Sequence, residues 1–345
     1  NLDIKSVRPV QVSLIPYIGT NWKVSGSATN RFSLNILAGY SGGLDGVEIG
    51  GLLNMTRNVA SGVQIGGLAN YVEGNSDGVQ IGGLVNFVKG NIDGVQIGGL
   101  VNYSREATKA VQIAGLVNYG KGRFDGVRVA GLVNFSNDSA HGVQIAGLFN
   151  IGNRHTGGFQ LAGLVNYARV LSGVQLGFIN VASRVERGTP VGFFSYVSNG
   201  YHLFELSANE IFYANLSFKS GTKAFYNIFQ VGIGDNLKFH GAYGIGTCVQ
   251  VSRKMAINFE STAGFVLHPT DTVYHGLKLK VIPMGEYRFA KRFALFSGPS
   301  WNFFLWSKGE PSATSRGLSP YDFYFKSTEN ASIQMWIGGV AGIRL

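Results

Sequence analysis

The sequence is poor in cysteine, in charged residues and in long apolar runs. One of its 345 residues is a cysteine, Cys248, which excludes a disulfide framework and a cysteine-based zinc site. Charged residues make up 14% of the chain against 45% hydrophobic residues, so it is not a charged disordered tail. No apolar run approaches the roughly 18 residues that a membrane helix needs. Glycine and aromatic residues are abundant instead, with 50 Gly, 24 Phe and 15 Tyr, and this composition favours an all-β fold.

The net charge of +10 is dispersed along the chain. Residues 47–187 hold 11 basic and 8 acidic residues, and the other basic residues lie scattered on either side. Because no run of five basic residues collects them, we expect no nucleic-acid partner. The chain begins with Asn1 rather than Met, and we expect that a signal peptide has been removed before it.

The strongest pattern is a 16-residue repeat. The unit Gly-Val-Glu-Ile-Gly-Gly-Leu-Leu-Asn at 46–54 returns at 62–70, 78–86, 94–102, 110–118, 126–134, 142–150 and 158–166. A ninth copy at 173–180 has lost one residue, and residues 190–195 look like a degenerate tenth. Each unit alternates β-formers with polar residues or glycine, and the polar hexamers between units predict turns.

Two β architectures can use this repeat. In a parallel solenoid each unit is one coil, and equivalent residues stack about 4.8 Å apart. The asparagines of the units would then form a structural ladder of Asn54, Asn70, Asn86, Asn102, Asn118, Asn134, Asn150, Asn166 and Asn180. In an antiparallel meander the units are instead strands of one large barrel with about 18 to 20 strands.

The shortened ninth unit favours the solenoid. Deleting one residue from a continuous strand moves every later side chain to the opposite face, whereas a deletion at a corner changes only the corner. The constant length of the polar linkers agrees, because membrane barrels tend to alternate short and long connections. We therefore expect Val79, Ile81, Leu84 and Asn86 to point inward, and the apolar residues that flank each Asn then need a cover.

This arrangement puts a row of amides on the outside of the coil. The row consists of Gln64, Gln80, Gln96, Gln112 and Gln144, with Glu48 and Arg128 as the departures. We expect the amides to pair with one another, and the alternative is that they bind sugars.

From about residue 201 the period ends and longer alternating strands begin. The alternation is clearest in residues 239–251, 255–267, 277–289 and 333–345. Strands of this length exceed the usual five or six residues of a soluble sheet and suit the roughly 9 to 11 that cross a bilayer. We expect a polar cluster inside the resulting barrel, formed by Glu260, Lys278, Lys280, Glu286 and Arg288.

Residues 9 to 198 carry motifs that occur together in a known family. They are Pro9-Val-Gln-Val-Ser-Leu, Phe32-Ser-Leu-Asn-Ile-Leu-Ala-Gly-Tyr and the tandem Gly-Val-Gln-Ile-Gly-Gly-Leu-Val-Asn units. In these motifs the chain resembles bacterial cell-envelope surface-repeat proteins. The resemblance implies an exported protein of the cell envelope, and it brings no activity, substrate or catalytic residue.

Signals of catalysis and of metal binding are weak. Residues 39–43 match the G-x-S-x-G pattern, but they lead into a repeat rather than into the helix that a nucleophile elbow needs. The histidines lack the H-x-x-x-H and H-E-x-x-H spacings of metal sites. We therefore predict a protein that is not an enzyme and that holds no cofactor and no metal.

Together these patterns predict an all-β protein of the bacterial outer membrane. Residues 1–45 and 199–345 are expected to build an antiparallel β-barrel, and residues 46–198 a β-solenoid inserted between them. The predicted role is structural, or that of a subunit in a larger envelope complex, with outer-membrane lipid and other envelope proteins as partners. Two alternatives stay open: a porin-like pore whose barrel includes the repeats, and a surface β-helix that binds glycans.

Overall fold

Strands make up 77% of the residues that the structure describes, against 2% helix. The computed structural model describes residues 6–235, 238–267, 276–290, 293–307, 318–319, 321–328 and 331–345. It divides into two units, Asn1–Gly188 and Thr189–Leu345. Within the described residues, no helix has the length and apolar character needed to span a membrane.

The first unit contains most of the shorter strands and one short 3-10 helix, Trp22–Ser27. The strands are β1 (Ser6–Ile15), β2 (Ile18–Gly19), β3 (Ala28–Asn35), β4 (Ala38–Ser41), β5 (Gly43–Gly50), β6 (Leu53–Thr56), β7 (Ala60–Gly66), β8 (Ala69–Val72), β9 (Ser76–Gly82), β10 (Val85–Val88), β11 (Ile92–Gly98), β12 (Val101–Ser104), β13 (Thr108–Ala114), β14 (Val117–Gly120), β15 (Phe124–Ala130), β16 (Val133–Ser136) and β17 (Ala140–Ala146). A continuous extended segment, β18 (Phe149–Val191), follows and ends just past the unit boundary.

The second unit contains the longer strands. They are β19 (Phe194–Val197), β20 (Tyr201–Asn209), β21 (Ala214–Gly221), β22 (Tyr226–Gly234), β23 (Lys238–Gln250), β24 (Met255–Leu267), β25 (Gly276–Arg288), β26 (Ala294–Ser307), β27 (Asp322–Ser327) and β28 (Ala331–Arg344).

The repeats form a parallel β-solenoid of about 11 turns. In a typical coil, β9 leads to a corner at Gly83 and Leu84, and β10 returns on the other side. β9 pairs in parallel with β7 and β11, while β10 pairs with β8 and β12, so that equivalent residues of successive units are in register. The prediction of a solenoid is confirmed, and the alternative in which the repeats are strands of one large barrel is wrong.

The N-terminal strands belong to this solenoid. β1 pairs in parallel with β3, and β3 pairs in parallel with β5 of the first repeat. This pairing shows that the prediction of barrel strands in residues 1–45 is wrong. In chain order the solenoid therefore precedes the barrel and is not inserted between two parts of it. Alternating apolar and polar residues indicate a strand with two different faces, and they do not distinguish parallel from antiparallel pairing. The boundary between the units lies at residue 188 rather than 198.

The second unit contains a closed antiparallel barrel. β20 to β26 pair in chain order, β26 pairs with β28, and β28 pairs back with β20, where Arg344 lies opposite Glu205. Eight strands therefore close the barrel, and the prediction of a barrel beside a solenoid is confirmed. β27 pairs with residues 332–336 of β28, outside the segment that β20 covers.

The repeated Gln and Asn side chains lie inside the solenoid and the aliphatic residues that alternate with them lie outside, while a few apolar residues such as Val72 and Val88 are buried as well. Gln80 is 1% exposed and Asn86 is fully buried, whereas Leu84 is 41% exposed. Val79 and Ile81 lie on the outer side of β9 and are only partly buried. The inward position predicted for Asn86 is therefore observed, and those predicted for the apolar residues are reversed. Alternation separates the two faces of a strand without stating which one is inside.

In the eight full repeat units, the residue that opens the corner, the second of the two small residues, must be glycine. A Cβ added to Gly99 would collide with the carbonyl oxygen of Gly83 in the coil before it. The residue before it is less demanding, because alanine stands there at Ala114, Ala130, Ala146 and Ala162, although a Cβ on Gly98 would lie 2.7 Å from the Val101 oxygen and needs a small shift.

We predict that Gly99→Ala destabilises the solenoid more than Gly98→Ala does at the neighbouring position, where other coils carry alanine. The first substitution overpacks a backbone contact, which costs about 1 to 3 kcal/mol. Hydrogen exchange measured by mass spectrometry on peptides from residues 85–120 reports the local opening free energy. Equal losses of protection in the two variants would contradict this explanation of the doubled glycine.

Candidate functional site

The asparagines of successive coils form one hydrogen-bonded ladder. Asn86 Nδ2 donates to Asn102 Oδ1 at 2.9 Å and to the backbone oxygen of Ile97 at 2.8 Å. Its Oδ1 accepts from Nδ2 of Asn70 at 2.9 Å. Side-chain bonds of 2.9 to 3.0 Å link all nine predicted residues from Asn54 to Asn180. Donors and acceptors of the buried amides are thereby paired, which avoids the cost of an unsatisfied polar group.

The ladder begins one coil before the repeat does. Asn35 Nδ2 donates to Asn54 Oδ1 at 2.9 Å, and Asn35 Oδ1 accepts from Ser13 Oγ at 2.7 Å. The step from Asn35 to Asn54 is 19 residues rather than 16, so the sequence period does not reveal this member.

The glutamines form a second ladder with the opposite direction. Gln80 Nε2 donates to Gln64 Oε1 at 2.8 Å, and Gln96 Nε2 donates to Gln80 Oε1 at 2.7 Å. Each glutamine thus donates toward the N-terminal coil, whereas each asparagine donates toward the C-terminal coil. All these glutamines are buried, so the row that we expected on the outside lies inside. It therefore cannot present amides to a sugar.

Glu48 ends the glutamine ladder on its N-terminal side. Its Oε2 accepts from Gln64 Nε2 at 2.8 Å, and its Oε1 accepts from Asn35 Nδ2 at 3.0 Å. A carboxylate only accepts hydrogen bonds, so it fits the end at which the amide hydrogens point. Burial raises the pKa of Glu48 above its usual range, and the bonds from Gln64, Asn35 and Thr56 oppose that rise.

Arg128 interrupts the same ladder. Its Nε donates to Gln112 Oε1 at 2.6 Å, but a guanidinium has no acceptor to offer Gln144. Gln144 Nε2 instead approaches Ser136 Oγ at 3.4 Å, an oxygen that Arg128 Nη1 already contacts at 2.7 Å. Within the described residues Arg128 Nη2 has no hydrogen-bond partner, and burial lowers the pKa of this side chain.

Two local features accommodate the Arg128 side chain. The guanidinium carbon lies 3.9 Å from the centre of the Phe124 ring, a distance typical of a cation–π contact. Gly120 leaves the space for Nη2, because a Cβ at that position would collide with it. The neighbouring coils have Ser104 and Ser136 at the equivalent position.

A network of ion pairs crosses the interior of the barrel. This lumen cluster consists of Glu205, Lys219, Glu260, Glu286 and Arg344, whose side chains are each 4% exposed or less. Lys219 Nζ lies 2.5 Å from carboxylate oxygens of Glu205 and Glu260. Arg344 bridges three carboxylates, at 2.9 Å from Glu205, 3.0 Å from Glu260 and 2.6 Å from Glu286. Five interlocked charged side chains therefore fill this level of the lumen.

The polar cluster predicted from the sequence is only partly assembled. Glu260 and Glu286 belong to the lumen cluster, and Arg288 contacts Glu286 at 3.1 Å from a position that is 36% exposed. Lys278 and Lys280 are buried, but no ion pair joins either of them to a carboxylate in the part of the chain that the structure describes. Lys278 Nζ lies over the rings of Phe212 and Trp336 instead, at 4.9 and 5.6 Å.

Sequence reasoning missed three members of the cluster: Glu205, Lys219 and Arg344. The alternation of the last strand already places Arg344 on its polar face, which was a usable signal. Its carboxylate partners lie 58 to 139 residues away in the chain, and only the closure of the barrel brings them together.

Glu210, an exposed residue, links three strands of the barrel. It accepts hydrogen bonds from Trp336 Nε1 at 2.7 Å, from the Gly339 amide at 3.2 Å and from Asn302 Nδ2 at 3.3 Å. These bonds tie the turn after β20 to β26 and β28.

The structure brings no catalytic arrangement together around Ser41. This serine is fully buried in the solenoid, and its Oγ lies 3.3 Å from Thr56 Oγ1. Among the described residues, no group of three or more His, Cys, Asp or Glu side chains could hold a metal ion. Comparison of the chain with family models, with curated proteins and with solved structures finds no match.

We predict that the double substitution Arg128→Gln with Gly120→Ser stabilises the solenoid by about 1 to 3 kcal/mol. It removes a buried charge with an unpaired N–H group and supplies the acceptor that Gln144 needs. Local opening free energies from hydrogen exchange over residues 108–150 measure the change.

Arg154→Gln is the matched control, because the Arg154 side chain is 72% exposed and its loss should leave these free energies unchanged. A destabilised double variant would contradict the view that Arg128 interrupts the ladder.

Proposed function

We propose that this protein is a non-enzymatic component of the bacterial outer membrane, with a structural role alone or within a larger envelope complex. Its barrel is the membrane-spanning part in this proposal. The observation that carries the proposal is the pairing of an apolar exterior with a polar, ion-paired interior.

The exterior of the barrel supports a location in lipid. Exposure alternates without interruption along β24, where Ile257, Phe259 and Phe265 point outward at 42%, 52% and 62% exposure. Neighbouring strands carry further outward apolar residues, among them Val249, Leu279, Val281, Leu295, Trp301, Ile337 and Ile343. A contiguous apolar surface of this size on a closed barrel is typical of membrane barrels.

The length and closure of the strands agree with a bilayer crossing. β23, β24 and β25 have 13 residues each, and β26 and β28 have 14. A tilted strand of roughly 9 to 11 residues crosses the hydrocarbon core. Because β28 pairs back with β20 over residues 340–344, the backbone groups at that level are bonded within the barrel and do not face the lipid unpaired.

The lumen supports a structural role over a porin-like one. An eight-stranded barrel has an interior just wide enough for side chains to fill. Here Arg344 joins three carboxylates, Lys219 joins two and Arg288 joins Glu286, so three cations offset three carboxylates. A transport path would need this cluster to open.

The proposal predicts opposite environments for two neighbouring residues of β24, Ser261 on the outside and Thr262 on the inside. Each is changed to Cys in a Cys248→Ala background, labelled with a small fluorophore, and reconstituted into vesicles that contain nitroxide-labelled lipid. The label at 261 should be strongly quenched by the lipid, and the label at 262 should not.

Unlabelled protein, reconstituted into vesicles in the same way, is transferred to planar bilayers and its conductance is measured. We expect no large steady channel because the lumen cluster fills the barrel. Steady conductance would favour the porin-like pore, and a label at 261 that only aqueous quenchers reach would show that the barrel does not lie in lipid.

A further inference from the structure

The solenoid carries an unbroken row of exposed leucines along one corner. The row consists of Leu52, Leu68, Leu84, Leu100, Leu116, Leu132, Leu148 and Leu164, each 39% to 44% exposed. With one residue per coil, the row is about 34 Å long at about 4.8 Å per step. We call this corner the leucine edge. Soluble monomeric proteins usually expose apolar residues singly, so a continuous row of this length is unusual for them.

Polarity changes in layers from the leucine edge to the opposite corner. On one side of a coil, the outward-facing residues met on moving away from Leu116 are Ile113 at 41% exposure, Val111 at 37% and then the exposed Lys109. On the other side the outward residues are Val117, Tyr119 and Lys121. Charged residues collect at this second corner, which we call the polar edge; Glu73, Arg105, Glu106 and Arg123 are each more than half exposed there.

Aromatic rings lie at the border between the aliphatic and the charged layers. Five of them stack on one another along the solenoid with centroid distances of 4.3 to 5.5 Å: Tyr71, Phe87, Tyr103, Tyr119 and Phe135. Lys89 at the polar edge lies 5.5 Å above the Tyr71 ring. Membrane proteins show the same order from the hydrocarbon core to the water: aliphatic side chains, then a belt with tyrosines, then charged residues.

Backbone groups at the leucine edge are bonded from coil to coil. The amide of Gly115 donates to the Gly98 oxygen, and the amides of Leu116 and Val117 both donate to the Leu100 oxygen, at 2.9 to 3.2 Å. The next coil repeats the pattern, with Leu132 and Val133 donating to the Leu116 oxygen. A corner of this kind meets the requirement that lipid sets, because no water is available there to bond a free amide or carbonyl.

We infer that the leucine edge of the solenoid lies in one leaflet of a lipid bilayer, with the polar edge in water. The five steps along the chain from Val111 to Leu116 span about 16 Å at about 3.3 Å per step. That depth matches about half of the roughly 30 Å hydrocarbon core, so the edge enters one leaflet and does not cross the membrane. The inference rests on the proposed function, since it takes the protein to be at a membrane.

Lipid fits this edge better than a folded partner does. The same aliphatic side chains recur at every coil, so the edge has no unique shape or polar anchor to fix the register of a protein partner. A fluid hydrocarbon layer needs no register, and burial of apolar area is the only favourable term required.

The experiment compares two positions of one coil in the full chain. Leu116→Cys on the leucine edge and Lys121→Cys on the polar edge are made in the Cys248→Ala background and labelled with the same fluorophore. Each protein is reconstituted into phosphatidylcholine vesicles, and quenching is measured with lipid-borne nitroxide and with a water-soluble quencher. We expect the label at 116 to lose most of its fluorescence to the lipid quencher alone, and the label at 121 to the aqueous quencher alone.

The Ser261→Cys variant of the barrel, measured in parallel, separates the two proposals. A label at 116 that the aqueous quencher reaches overturns the inference and leaves the proposed function standing if position 261 is quenched by lipid. A label at 116 that neither quencher reaches also overturns it, because the edge is then covered by protein, a second copy included. If 116 is quenched by lipid and 261 is not, the inference stands and the barrel proposal fails.

Discussion

The pairing of buried amides between coils is the interaction on which the solenoid depends. An asparagine or glutamine side chain in a dry interior is costly unless its donors and its acceptor find partners. Stacking identical residues one coil apart supplies those partners, as Asn86 shows with Asn70, Asn102 and the Ile97 carbonyl. Because the amides occupy the interior, the aliphatic residues that alternate with them must face outward.

The two ladders explain where the sequence departs from its own repeat. The glutamine ladder points its hydrogens toward the N-terminus, where Glu48 offers oxygens and needs no donor. Arg128 can donate to Gln112 but cannot accept from Gln144, so the chain of bonds breaks at that coil. Gly120 compensates for the larger side chain by leaving its own side empty. Glu48 therefore suits the end of the ladder, whereas nothing in the described residues explains why an arginine stands at position 128.

The period of 16 and the shortened ninth unit were sufficient to predict stacked coils and the asparagine ladder, and the longer alternation after residue 201 predicted a barrel, although with residues 1–45 wrongly included. Alternation could not predict which face of each strand lies inside the solenoid. Gln80 and Ile81 lie on opposite faces, and the same pattern results whichever of the two is buried. The N-terminal strands were assigned to the barrel because their spacing hides the link from Asn35 to Asn54. The lumen cluster was predicted only in part. Glu260 and Glu286 lie on strands with recognisable alternation, whereas Arg344 contacts them only because the barrel closes.

Both units follow one rule, in which buried polar groups satisfy one another and many large apolar side chains face outward, beside buried apolar clusters such as Val72 with Val88 and Phe304 with Trp336. In the barrel the rule is met by ion pairs around Arg344, and in the solenoid by amide ladders. A soluble protein of this size normally places its apolar residues in the core. The inverted arrangement is therefore the property that connects the repeat, the fold and the proposed place in an envelope membrane.

The most direct test of this account is the rate at which side-chain amide hydrogens of the glutamines exchange with D₂O, measured by NMR on glutamine-labelled protein. The account predicts slow exchange for Gln80, Gln96 and Gln112, which are buried and bonded to one another. Exposed Gln250 serves as the fast reference in the same sample. If the three ladder amides exchange as fast as Gln250, the glutamines face the solvent and the polar interior does not exist.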